Sequence, residues 1–125
     1  SSQTHSVRDE AVSVAPKLRK ILEQRDPYCL HCGDEDTLQV HHRKGRGMGG
    51  RPKKSLDRLD NLLRVCAWLN YQMEADSQLA RTARDMGWKL RQSDDTAKPV
   101  FDKIRGSWYL LKEDGQKMEV RKNEN

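Results

Sequence analysis

The chain has 125 residues, with 24 Lys and Arg against 19 Asp and Glu, a formal net charge of +5 and a sequence pI near 9.2. That length accommodates one domain and excludes two full ones; with hydrophobic and charged residues each at 34%, the core is modest and wants a staple such as a metal or a partner. No apolar run approaches the roughly 20 residues of a membrane helix, and the start has no apolar stretch of the signal-peptide kind, so a soluble, cytoplasmic protein is expected with no membrane partner.

Residues 1–13 are polar and aperiodic and are expected to be a flexible start. From Val14 the stretch VAPKLRKILEQRD sets Val14, Leu18, Ile21 and Leu22 at helical spacing, with Pro16 in the first turn. Asp26 and Pro27 break this helix. CLHCG then closes a tight knuckle in which Gly33 supplies a positive φ. A strand follows over Thr37 to His42, between the acidic turn Asp34 to Asp36 and a glycine-rich loop. That loop, Arg43 to Arg58, is the most basic segment, with seven cations opposed by Asp57 alone.

The apolar stretch NLLRVC, Asn61 to Cys66, predicts a second strand pairing with the first. Trp68 to Met86 carries one broad apolar stripe and predicts a single helix, with Gly87 as its C-cap. In the tail, PVF, SWYLL, the turn EDGQ and MEV predict a small β-hairpin. The fold class is therefore α+β: a domain over 14–90, an extension carrying the hairpin over 91–120, and a disordered tail over 121–125.

Cleaving a phosphodiester requires an activated water, positive charge on the phosphoryl and leaving oxygens, and groups that hold the phosphate still. A histidine suits the first task, because its ordinary pKa of about 6.5 lets it accept a proton near neutrality. LQVHHRKGRGMGG followed by DNLLRVCAWLNYQME resembles the HNH, or ββα-metal, endonucleases, and more closely the short HNH proteins of tailed bacteriophages. The resemblance spans about Arg25 to Trp88, and more loosely the tail. It implies a ββα-metal core, here with an N-terminal helix and a C-terminal β-hairpin. It also implies His41 as a metal ligand and His42 as the general base that deprotonates water. Asn61 becomes the motif asparagine that orients the base and braces the loop.

The four histidines are His5, His31, His41 and His42, so the third motif position falls on Asn70 and the chain resembles an H-N-N variant. Glu74, one helical turn after Asn70, is an additional candidate ligand. Oxygen donors of this kind suit Mg²⁺, with Mn²⁺ or Ni²⁺ as alternatives. Adjacent strand residues point to opposite faces, so His41 and His42 serve one ion only if the strand ends or bulges there. The other reading of the pair is one structural and one exposed histidine. The resemblance further implies a DNA substrate and a phage terminase as partner, and one active site per chain, which cuts one strand at a time, leads to an expectation of nicking rather than double-strand cleavage.

Three cysteines, two of them in the CLHC pair, favour a metal over a disulfide framework. Structural zinc takes four ligands, whereas the chain offers Cys29, Cys32 and Cys66, with Leu69 where the phage relatives place a fourth cysteine. Either zinc recruits a further donor such as His31 or an Asp, or the thiols are ordinary packing. In the basic loop, Arg43, Lys44, Arg46, Arg51, Lys53 and Lys54 are the candidate contacts to DNA phosphates, with glycines that let backbone approach the strand. For Trp68, Trp88 and Trp108 packing is the default and base stacking the alternative. The competing function is a catalytically inactive HNH-fold module that binds DNA or a host protein.

Overall fold

The computed structural model describes residues 14–45 and 56–121. The start over 1–13, residues 122–125 of the tail, and the loop cations Arg46, Arg51, Lys53 and Lys54 lie outside the described residues. Among the described residues the chain runs through α1 (Pro16–Arg25), β1 (Leu38–His42), a 3-10 turn (Leu59–Asn61), β2 (Leu62–Cys66), α2 (Ala67–Ala75) and α3 (Ser77–Asp85). The strands β3 (Val100–Asp102), β4 (Ser107–Leu111) and β5 (Lys117–Val120) follow. The architecture is α+β, with two small antiparallel sheets, β1-β2 and β3-β4-β5. No described helix is long and apolar enough to cross a membrane.

β1 and β2 pair in regular register from Leu38 opposite Cys66 to His42 opposite Leu62. Both faces of this ribbon are covered, which is why LLRVC reads as a nearly continuous apolar run. Leu63 and Val65 join the larger core, with Leu69, Met73, Ala83 and Trp88. Leu62, with Val40 packed against it, meets Leu22 and Leu59 in a second cluster under α1. The larger core also takes in Val100, Tyr109 and Leu111, so the C-terminal sheet shares the packing of the ribbon and of α2.

Two expectations need correction. The single helix over Trp68 to Met86 is two helices, because the Asp76 carboxylate accepts from the backbone N–H groups of Gln78 and Leu79 and caps a fresh start. The expected hairpin is a three-stranded meander, in which Val100 pairs with Tyr109 as β3 joins β4.

α3 closes at Gly87, which has φ +78°; Gly87 N–H donates to Arg84 O and Trp88 N–H to Ala83 O, the paired bonds of a Schellman turn. A Cβ at Gly87 would lie 2.0 Å from the Pro99 carbonyl oxygen, so no larger residue fits the turn as it stands. The Trp88 side chain that follows is fully buried and donates its indole N–H to Phe101 O at 2.8 Å. The segment Trp88–Lys89 is thereby held in a fixed place beside the ribbon.

Candidate functional site

β1 stays regular through His42, so its two histidines leave on opposite faces. His41 sits opposite Leu63 and turns inward, where its Nε2 is 2.7 Å from the Trp88 carbonyl oxygen. Burial, opposed by that hydrogen bond, holds its pKa down to about 4. His41 is therefore neutral at physiological pH, with one ring nitrogen committed to a backbone acceptor.

His42 is half-buried, and its Nε2 lies 2.7 Å from Asp57 Oδ1. With the carboxylate accepting from Nε2–H, Nδ1 is left as the basic nitrogen. A histidine oriented by a carboxylate is the arrangement that general-base catalysis uses. Asp57 was missed as a site residue in the sequence, although a single acid within a run of cations is a visible signal.

Asn61 is buried and clips both described ends of the basic loop. Its side-chain oxygen accepts from Lys44 N–H at 2.8 Å, and its amide donates to Lys44 O at 3.1 Å and Leu56 O at 2.9 Å. The side chain is thus a loop brace that touches neither histidine in any of these bonds. Beside it opens a cavity of about 370 Å³, whose lining includes Lys44, Arg58, Asp94 and Asp95. Arg58 is engaged by Asp60 and Glu113, and the acids facing it leave no net positive character there.

Arg43, expected on phosphate, is corrected to a core residue. It is 1% exposed, and its guanidinium donates to the carbonyl oxygens of Gly87, Asp60, Thr96 and Lys98. Burial lowers its pKa only to about 10, so the charge persists at neutral pH. Five donors in a rigid fork suit it to join three segments at once. Of the six expected phosphate contacts, Lys44 alone is both described and partly accessible.

The remaining expected ligands, Asn70 and Glu74, lie on α2 facing β1. The Asn70 amide donates to the Gln39 side-chain oxygen at 2.8 Å. The Glu74 carboxylate accepts from Lys89 Nζ at 2.8 Å, and this bond holds its pKa below the ordinary carboxylate value. His41 and Glu74 are close enough to influence each other's charge, and Lys89 acts on both. The strand and helix thus bring His41, Asn70 and Glu74 to one gap, but His41 Nε2 and Glu74 Oε2 have other partners and the Lys89 ammonium is already present. As arranged, this set does not fit a divalent ion.

The cysteines do converge. Cys29, Cys32 and Cys66 place their sulfurs within 4.8 Å of one another, with Cys32 Sγ to Cys66 Sγ at 3.6 Å. The knuckle is shaped by Gly33 at φ +83°, whose N–H donates to Cys29 O, while Cys29 N–H donates to Asp34 O. Cys66 caps α2, accepting from Leu69 N–H at 3.3 Å. Burial pushes its thiol up to about 12 when no ion is bound. Three thiols, one at a helix N-terminus with an N–H donor, suit a soft ion such as zinc. Among the described residues no fourth His, Cys, Asp or Glu completes the group. His31 instead stacks on Trp68 at 5.7 Å and meets Trp88 edge-on at 5.5 Å.

Trp88 follows the packing expectation, whereas Trp68 is 55% exposed. No protein-family model, curated protein or solved structure matches this chain. Function is accordingly inferred from these residues and their geometry.

Proposed function

We propose that the chain hydrolyses phosphodiester bonds in DNA, with His42 as the general base and Asp57 as the residue that orients it. The observation that carries this reading is the 2.7 Å contact from His42 Nε2 to Asp57, at the root of a basic loop whose ends are tied by Asn61. Nδ1 of His42 takes a proton from water, the water oxygen bonds to phosphorus, and the bond to the leaving nucleotide oxygen breaks as that oxygen takes a proton from solvent, to which His42 then returns its own. Lys44 and the loop cations hold the polyanion by charge that is indifferent to base sequence. One such site cuts one strand, so nicking is the primary activity. At the knuckle, Cys29, Cys32 and Cys66 would hold a zinc ion whose contribution is to brace the start of β1 and the N-terminus of α2. In the HNH resemblance the gap between β1 and α2 would carry the ββα-metal ion; its present hydrogen bonding favours a second reading, a module that binds DNA without cutting it.

Plasmid nicking by the purified protein separates the two. The expected result is nicking that falls about 10²- to 10⁴-fold in His42→Ala and less in Asp57→Asn, with DNA binding unchanged in both. Nicking that survives His42→Ala would refute the mechanism. DNA binding without nicking under any ionic condition favours the binding module.

A further inference from the structure

We infer that the Lys89 ammonium occupies the place between β1 and α2 that a divalent ion would need, so that this gap excludes divalent cations. Two neighbouring groups of one segment satisfy two of the three candidate ligands. The Trp88 carbonyl oxygen engages His41 Nε2 at 2.7 Å, and Lys89 Nζ donates to Glu74 Oε2 at 2.8 Å. The third, Asn70, is bonded to Gln39 across the same strand and helix.

The segment is not free to withdraw. It leaves the Schellman turn at Gly87, where a Cβ would strike Pro99, and Trp88 is locked in the core with its indole N–H on Phe101 O. Only the Lys89 side chain could swing away, and it is the less exposed partner of its pair, at 24% against 70% for Glu74. An ion of charge +2 entering beside it would place three positive charges around the single carboxylate of Glu74. Like charges repel, here screened in part by the solvent that reaches the exposed pair. Lys89 is thus a positioning residue that fixes Glu74 on the His41 side of β1. The exclusion of ions does not rest on the phosphodiesterase reading.

The test measures Mn²⁺ binding to the full chain by the electron paramagnetic resonance signal of the free ion, since Mn²⁺ has little affinity for the cysteine thiols. Wild type is compared with Lys89→Met, which keeps an apolar stem, and with Lys89→Met/Glu74→Gln; near-ultraviolet circular dichroism verifies the fold of each. Lys89→Met is expected to bind Mn²⁺ at least tenfold more tightly than wild type, and adding Glu74→Gln is expected to remove the gain. Mn²⁺ binding by wild type that is lost on Glu74→Gln would overturn the inference, as would a Lys89→Met protein with no gain. In parallel, wild-type nicking is expected to persist in EDTA; nicking abolished by EDTA and restored by Mg²⁺ also overturns it. Absence of nicking under every condition, beside the expected Mn²⁺ result, refutes the phosphodiesterase reading and leaves the exclusion of ions standing.

Discussion

Replacing Arg43 by Leu separates a structural role from a DNA-binding one. The guanidinium makes four hydrogen bonds, at 2.8, 2.9, 3.0 and 2.5 Å, to carbonyl oxygens of Gly87, Asp60, Thr96 and Lys98. Each buried acceptor left unpaired costs about 1–3 kcal/mol, but the bonds to Thr96 and Lys98 are only part-buried and water can replace them. The expected loss is therefore about 3–5 kcal/mol, a large share of the roughly 5–15 kcal/mol that stabilises an ordinary domain. At a urea dependence of about 2 kcal/mol per molar, the unfolding midpoint falls by about 2 M. Below that midpoint the salt dependence of DNA affinity should match wild type, whereas loss of a phosphate contact would reduce the slope by about 0.9. An unchanged urea midpoint with a shallower salt slope would refute the structural assignment.

Acid should destabilise the fold through His41. Because its folded pKa is depressed to about 4, its contribution is fully present above about pH 6.5 and is lost as pH falls towards 4, a change of about 3 kcal/mol. Urea titrations at several pH values should show a slope in that window that flattens in His41→Gln; an unaltered slope would count against the burial argument. At the knuckle, Co²⁺ should develop a thiolate-to-metal charge-transfer band that disappears in Cys66→Ser. Since Cys66 must lose a proton from a thiol pushed up to about 12, apparent affinity should rise with pH, and a pH-independent titration would show that the cluster is not the ligand set.

Local periodicity and turn chemistry made much of the fold legible. The stretch from Val14, the CLHCG knuckle with its positive-φ glycine and the two ribbon strands all have signals within a few residues. The break at Asp76 was hidden because an acidic N-cap inside an amphipathic run does not interrupt the apolar stripe; only the bonds to Gln78 and Leu79 reveal it. PVF, which begins β3, was read as part of the hairpin, but its pairing as a third strand was not, since three residues carry no alternation and their partner lies beyond a turn. Reading charge as surface failed at Arg43, whose acceptors come from three separate stretches of chain that only the folded state assembles. The same holds for Lys89 on Glu74, fifteen positions away, which no helical or strand spacing connects.

The opposite fates of His41 and His42 limit what the site can achieve. A positioned general base contributes about 10²- to 10⁴-fold, whereas enzymes as a class reach about 10⁶-fold and beyond. His42 with Asp57 therefore cannot by itself make an efficient nuclease. The rest must come from positive charge near the phosphoryl oxygens. With Arg43 committed to the core, Arg58 to Asp60 and Glu113, and Lys89 to Glu74 on the His41 side of β1, Lys44 is the described cation that directly follows the strand end carrying His42. Lys44→Met should then depress nicking in EDTA without altering the fold, whereas Lys89→Met, on the other face of the strand, should not. If Lys44→Met leaves the rate untouched while His42→Ala abolishes it, the charge comes from elsewhere.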